Sequence, residues 1–144
     1  LISSYDKGLR NFVLISGHAG GSHMTAMKET GEGLIGELEH SRIAVFSVYD
    51  LISKEASELA ETENDSHAGE IETSLILALA PELVKGRAEE EYPKFPKPLI
   101  VRDKVKYWPG GVWGNPKKAT GDKGTNLVDI AVDKLAGLIR EIEI

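Results

Sequence analysis

The sequence predicts an α/β fold built on a mostly parallel sheet, and three observations carry that expectation. A short apolar run ends in a glycine-rich turn, the turn leads into helical sequence, and a second run rich in Val, Ile and aromatics follows. Open sheets of this type bind ligands where strand C-terminal ends meet helix N-termini, so chemistry is expected first at the glycine turn.

The elements follow in order. Asn11 to Ser16 (N-F-V-L-I-S) is an apolar run with polar residues before it and glycines after it, the pattern of a buried parallel strand. Gly17-His18-Ala19-Gly20-Gly21-Ser22 follows, then helical sequence to about Leu38, with Ser22 as a suitable N-cap. Arg42 to Tyr49 reads as a second strand. Asp50 to Glu61 is weakly helical and acidic, and Glu63-Asn64-Asp65-Ser66 is a turn cluster rich in N-cap residues. Glu70 to Val84 is the strongest helix, with Ile71, Ser74, Leu75, Ala78 and Leu79 on one face, Pro81 distorting its last turn and Gly86 ending it. Residues 88–121 hold every proline except Pro81 and form a long irregular segment, which usually serves a function or an interface. Asn126 to Ile144 closes the chain as an amphipathic helix. Because Leu1-Ile2-Ser3-Ser4-Tyr5 reads as mid-chain sequence, residues 1–144 are expected to be one domain, the C-terminal part of a longer chain.

Composition excludes several classes. The 144 residues carry 17 Lys+Arg against 23 Asp+Glu, a net charge of −6, which argues against nucleic-acid or anionic-membrane partners. Zero cysteines remove disulfides, thiolate metal sites and cysteine nucleophiles together. The longest apolar run, Leu75 to Ala80, is far short of the roughly 20 residues that cross a bilayer. Any metal chemistry must use His and carboxylates.

Three constellations offer chemistry. In the glycine turn, Gly17, Gly20 and Gly21 allow close backbone approach, and His18 at the strand end can turn its imidazole, the commonest metal ligand, into the crevice. The turn lacks the lysine of a P-loop and the spacing of a dinucleotide fingerprint, and a plain strand-to-helix turn is the competing reading. His23, about 140° round a helix from His18, and His40 read as surface residues. In the second constellation His67 precedes a helix whose first turn carries Glu70 and Glu72. An imidazole there suits proton transfer, and Glu72, amid apolar and small residues, is expected to be partly buried and hence paired or metal-bound. The plainer alternative makes both glutamates helix-dipole partners, with Ser66 as the cap. In the third, Trp108 and Trp113 lie in the proline-rich segment, where they either wall a pocket or interface or simply fill the core.

Three stretches in this order, S-G-H-A-G-G at 16–21, H-A-G-E-I-E-T-S at 67–74 and G-V-W-G-N-P-K-K-A-T at 111–120, resemble the motifs of the creatininase family of amidohydrolases. The resemblance covers essentially the whole chain. It implies a three-layer α/β/α fold, two divalent metal ions (Zn, Mn or Fe) per complete subunit, and hydrolysis of an amide C–N bond. It also implies a cytoplasmic homo-oligomer, commonly a hexamer. By motif position His18 matches a metal-binding His, His67 a proton shuttle beside the substrate, and Glu72 a metal ligand. Ala19, Gly20 and Trp113 are the positions expected to face substrate. The family's further ligands, a Glu-x-His pair and a bridging Asp, belong to sequence upstream of this chain.

The departures narrow the substrate. Creatinine-hydrolysing members resemble one another in a Tyr-Glu pair where this chain has Ala19-Gly20, and in a Trp where it has Glu63. The expectation is therefore a small amide other than creatinine, such as a formamide or a bond in a small modified peptide. The alternative is a non-catalytic anion- or nucleotide-binding or assembly module on the same scaffold.

Overall fold

The computed structural model describes residues 1–143. The chain forms two compact units, Leu1–Ser53 with the stretch from Ile130 onward, and Lys54–Asp129.

In the first unit a short helix α1 (Ile2–Asp6), which the sequence pattern did not announce, precedes strand β1 (Asn11–Ser16). Helix α2 (Gly21–Ile35) then crosses to strand β2 (Arg42–Ser47). The strands pair in parallel, Phe12 opposite Ile43 and Ile15 opposite Phe46, and they are the whole sheet among the described residues. This is the predicted strand–glycine turn–helix–strand unit. Gly31 lets α2 close on the sheet: a Cβ there would meet Val45 Cγ2 at 3.0 Å. Phe12, Met24 and Leu38 fill the core below it.

Two boundaries differ from expectation. Helix α2 starts two residues earlier, with Gly20 rather than Ser22 as its N-cap, and no side chain caps it. Strand β2 stops at Ser47, two residues short of Tyr49, because Ser47 opens helix α3 (Val48–Leu59). Its Oγ accepts from the Asp50 amide at 3.2 Å, while Asp50 Oδ2 accepts from the Ser47 amide at 2.8 Å and hydroxyl at 2.9 Å. That reciprocal box satisfies donors at the helix start and ends the strand. Ile52, fully buried, anchors α3 in this unit.

The second unit is organised by helix α4 (Glu70–Leu79) and the first part of helix α5 (Gly121–Glu143). Ile71, Ser74, Leu127 and Ala119 are buried. The two helices meet with almost no side chain between them. A Cβ on Gly124 would fall 1.9 Å from the Ser74 carbonyl oxygen, so only glycine permits this approach. The Ser74 hydroxyl donates to the Glu70 carbonyl at 2.7 Å and accepts from the Thr120 amide at 3.1 Å, tying the segment before α5 to α4.

Helix α4 ends at Leu79 rather than Val84. Pro81 excludes the α conformation from the residue before it, and a 3-10 turn, Pro81–Leu83, takes over. Leu79, expected on the buried face, is 66% exposed. Helix α5 starts five residues before Asn126, and its expected end at Ile144 lies outside the described residues. Of the segment 88–121 expected to be irregular, residues 88–115 are so, crossed by two antiparallel bridges and a few turns, whereas a 3-10 turn, Pro116–Lys118, and the first residue of α5 fall at its end.

Candidate functional site

The second unit brings together His67, Glu72 and Trp113. An antiparallel bridge places His67 beside Trp113: the Trp113 amide donates to the His67 carbonyl at 2.7 Å, and the Ser66 and His67 amides donate back at 2.9 and 3.2 Å. Five residues on from His67, Glu72 occupies the first turn of α4 and reaches back, accepting from the Ala68 amide at 2.6 Å. The turn between them runs through Ala68 in the left-handed region (φ 48°), a conformation costly for a residue with a side chain. As a result Nδ1 of His67 lies 3.7 Å from Oε2 of Glu72. At that distance the two groups are within ion-pair range when the imidazole is protonated, and too far apart for a direct hydrogen bond.

Around His67 stands a set of aromatic rings. Trp108 meets it edge-on at 5.3 Å, Trp113 lies 6.2 Å from Trp108, and Phe95 6.3 Å from Trp108. Trp108 is fixed by its indole N–H, which donates to the Val112 carbonyl at 2.6 Å. Both tryptophans are half-buried, and of the two it is Trp108 whose ring flanks the imidazole, with Trp113 packed against Trp108. On the other side of Glu72 a cleft of about 350 Å³ is lined by Thr73, Ile76, Val84, Arg87 and Val112.

Two expectations at this site need correction. Glu72 is partly buried, as expected, with 41% of its side chain exposed, but Glu70, read only as a helix-dipole partner, is the fully buried carboxylate, with none of its side chain exposed. Glu70 accepts from the amides of Glu61 (3.0 Å) and Thr62 (2.8 Å) and from Lys123 Nζ (2.5 Å), which also contacts Glu61. Burial opposes its ionisation, but the hydrogen bonds from Lys123 and the backbone outweigh that and hold the carboxyl below the usual glutamate range. The second correction concerns the cap of α4, which is not Ser66. Asp65 accepts from the Glu70 amide at 2.7 Å and the Ile71 amide at 3.0 Å. Neither role followed the familiar spacing, because Asp65 stands four residues before the N-cap Gly69 and the partner of Glu70 is 53 residues away.

The first unit carries His18, Ala19 and Gly20 on the predicted loop, and His18 and Ala19 are exposed. The His18 ring folds over Gly20, where a Cβ would come within 2.2 Å of Nε2. Ser16 organises the loop: its hydroxyl accepts from the His18 amide at 3.1 Å and lies 2.8 Å from Nε2 of His23. His23 is exposed, as expected, but not apart from His18. Because α2 begins only at Gly21, the loop doubles back and the two rings stand 5.4 Å apart.

Among the described residues no three His, Asp or Glu side chains gather closely enough to hold an ion.

A parallel βαβ unit with a His-bearing glycine turn in one unit, and in the other a helix whose first turn sets Glu72 near His67, define an α/β protein. Its family is specific: the sequence profile of the creatininases (creatinine amidohydrolase) matches residues 1–139, and the chain belongs to that family. Solved structures agree. A Bacteroides fragilis NCTC 9343 protein assigned provisionally as a creatinine amidohydrolase is 33% identical, with a TM-score of 0.77 over 98% of this chain and 57% of its own. A creatinine amidohydrolase (creatininase) is 25% identical, with a TM-score of 0.74 over 98% of this chain and 60% of that one. A manganese form of creatininase, 24% identical, shares the fold with a TM-score of 0.73 over 96% of this chain and 59% of that one. No curated protein sequence matches the chain. The chain thus spans less than two thirds of the length of these structures, and their fold is present here in part.

Proposed function

We propose that the complete protein carrying this chain hydrolyses the C–N bond of a small amide other than creatinine, with divalent metal ions (Zn, Mn or Fe). The observation that carries this reading is the His67–Glu72 pair, 3.7 Å apart at the start of α4 with Trp113 bridged alongside. When bound, the ions supply Lewis-acid polarisation of the amide carbonyl and an ionised water. His18 and Glu72 are this chain's donors toward them. Oε2 of Glu72 is already engaged by the Ala68 amide, which leaves Oε1 as the oxygen free to serve a cation. His67 delivers the proton to the leaving nitrogen as the C–N bond breaks and the water oxygen joins the acyl carbon. Ala19, Gly20 and Trp113 border the substrate. Creatinine is disfavoured because Ala19, Gly20 and Glu63 replace the Tyr, Glu and Trp of creatinine-hydrolysing members.

Those same replacements favour a second reading, a binding or assembly module without turnover. Elemental analysis of the complete protein and an amide and formamide screen separate the two. About two ions per chain, with turnover abolished by EDTA and restored by Zn, Mn or Fe, is the expected result. Unchanged turnover in metal-stripped protein overturns the metal dependence, and neither metal nor turnover establishes the module. As part of the same reading we place the protein in the cytoplasm as a homo-oligomer, hexamers being common in the family, with no nucleic-acid or membrane partner. No helix among the described residues is long and apolar enough to cross a membrane.

A further inference from the structure

We infer that Asp65 is a positioning residue for His67, an assignment that rests on the proposed amide hydrolysis only for its kinetic consequence. The Asp65 carboxylate sits in a notch made by two motif glycines. A Cβ on Gly69 would fall 2.0 Å from Oδ1, and a Cβ on Gly114, whose φ is 137°, would also fall 2.0 Å from it. The glycine of the His67 motif and the glycine after Trp113 therefore share one physical purpose, to admit this carboxylate. Gly69 also lies against the Trp113 carbonyl, 3.0 Å from where its Cβ would be.

From the notch, Oδ1 and Oδ2 take the amides of Glu70 and Ile71. The segment 65–72 is thus closed twice by carboxylates: Asp65 reaches forward to the helix amides, and Glu72 reaches back to the Ala68 amide. His67 is held inside this double closure, and its backbone is clamped to Trp113. Loss of the forward closure frees the left-handed turn at Ala68, and the imidazole loses its distance from Glu72 and its edge contact with Trp108. Asp65 touches neither His67 nor any reacting atom, so its effect is exerted through the backbone.

The test is Asp65→Asn in the complete protein, read first by the ¹H–¹⁵N signals of the His67 ring, assigned by their loss in His67→Gln. Asparagine retains one acceptor and turns an N–H donor toward a backbone N–H. The expected result is that the His67 ring signals shift while those of His40, in the first unit, stay put. With para-nitroformanilide as the probe, kcat falls about ten- to a hundredfold while KM changes less than about twofold. If Asp65→Asn does not fold, Asp65→Ser, which retains one short acceptor, gives the same readout. Native His67 signals beside a lowered Tm overturn the inference and reduce Asp65 to a helix cap. Absence of turnover in the native protein defeats the proposed function instead, and the ring signals still decide the role of Asp65.

Discussion

The loop that carries His67 and the loop that carries His18 are built to different standards. Around His67, residues 65–72 are closed by two carboxylates, bridged to Trp113 and flanked by Trp108. Around His18 a single side chain, Ser16, bonds to the loop, and the imidazole stands exposed against His23 and Gly20. A group that must present a proton at a set angle needs support from its neighbours. A metal ligand can take its final orientation from the ion and its other ligands. The contrast in construction is what the two proposed roles, proton carrier at His67 and metal ligand at His18, would call for.

The largest test of the comparison attacks the support of the second unit from below. Glu70→Ala leaves Lys123 without its buried partner and the amides of Glu61 and Thr62 without an acceptor. Breaking a buried pair by removing one member costs about 3–5 kcal/mol, so urea denaturation should show a loss of that order. The pair also sets a pH dependence. Because the Glu70 carboxyl is held below its ordinary value, its stabilisation is fully present above the unfolded glutamate pKa and is lost as pH falls through the lowered one. Lys123 is held above its ordinary value: burial opposes its charge, but hydrogen bonds to Glu61 and Glu70 outweigh that. Its share is present below the unfolded lysine pKa and is lost as pH rises through the raised one. Glu70→Gln should flatten the acid limb of stability. An acid limb identical to the native one would show that Glu70 is not the carboxylate responsible.

Why Glu70 rather than Glu72 is buried explains how far the sequence could be read. Both glutamates sit in the first turn of an apolar helix, and local pattern treats them alike. The choice between them is made by Gly124, which brings α5 against Ser74, and by Lys123 beside it, more than fifty positions away. No window of sequence contains that contact. By contrast, the βαβ unit was legible because its signals are local: an apolar run, glycines, helical sequence, a β-branched run. The α3 start was also there to be read as S-x-x-D at Ser47–Asp50, but the Val48-Tyr49 between them looked like more strand. Of the candidate site, the residue types at His18, His67 and Glu72 are legible in the motifs, while the distance between His67 and Glu72 depends on the turn at Ala68. Asp65 is legible only as one of a cluster of N-cap residues, because it caps from four residues before the N-cap Gly69 rather than at the helix edge.

A smaller effect is expected in the first unit, where the same kind of capping exists away from any proposed chemistry. Ser47→Ala removes the hydroxyl that accepts from the Asp50 amide and donates to its carboxylate. The Asp50 carboxyl, held below its ordinary value mainly by the Ser47 amide, retains that bond. The loss should therefore be about 1 kcal/mol, the usual worth of an N-cap side chain. Amide turnover should stay native, because Ser47 belongs to none of the motif loops. Turnover falling with stability would show that the fold of the first unit, and not the His67 closure alone, governs the chemistry.

The smallest structural effect and the sharpest functional one should coincide at His18. Its side chain is exposed and meets only the His23 ring and the space over Gly20, so His18→Ala should change stability by less than about 0.5 kcal/mol, as surface substitutions do. If His18 is the proposed metal ligand, metal content of the complete protein should nevertheless fall, because the ring beside it, His23, already has its Nε2 engaged by Ser16. A His18→Ala protein that keeps full metal content would place the ligand set elsewhere. One that loses several kcal/mol of stability would mean the loop is braced as firmly as the one around His67, and the distinction between a supported proton carrier and a lightly held ligand would no longer stand.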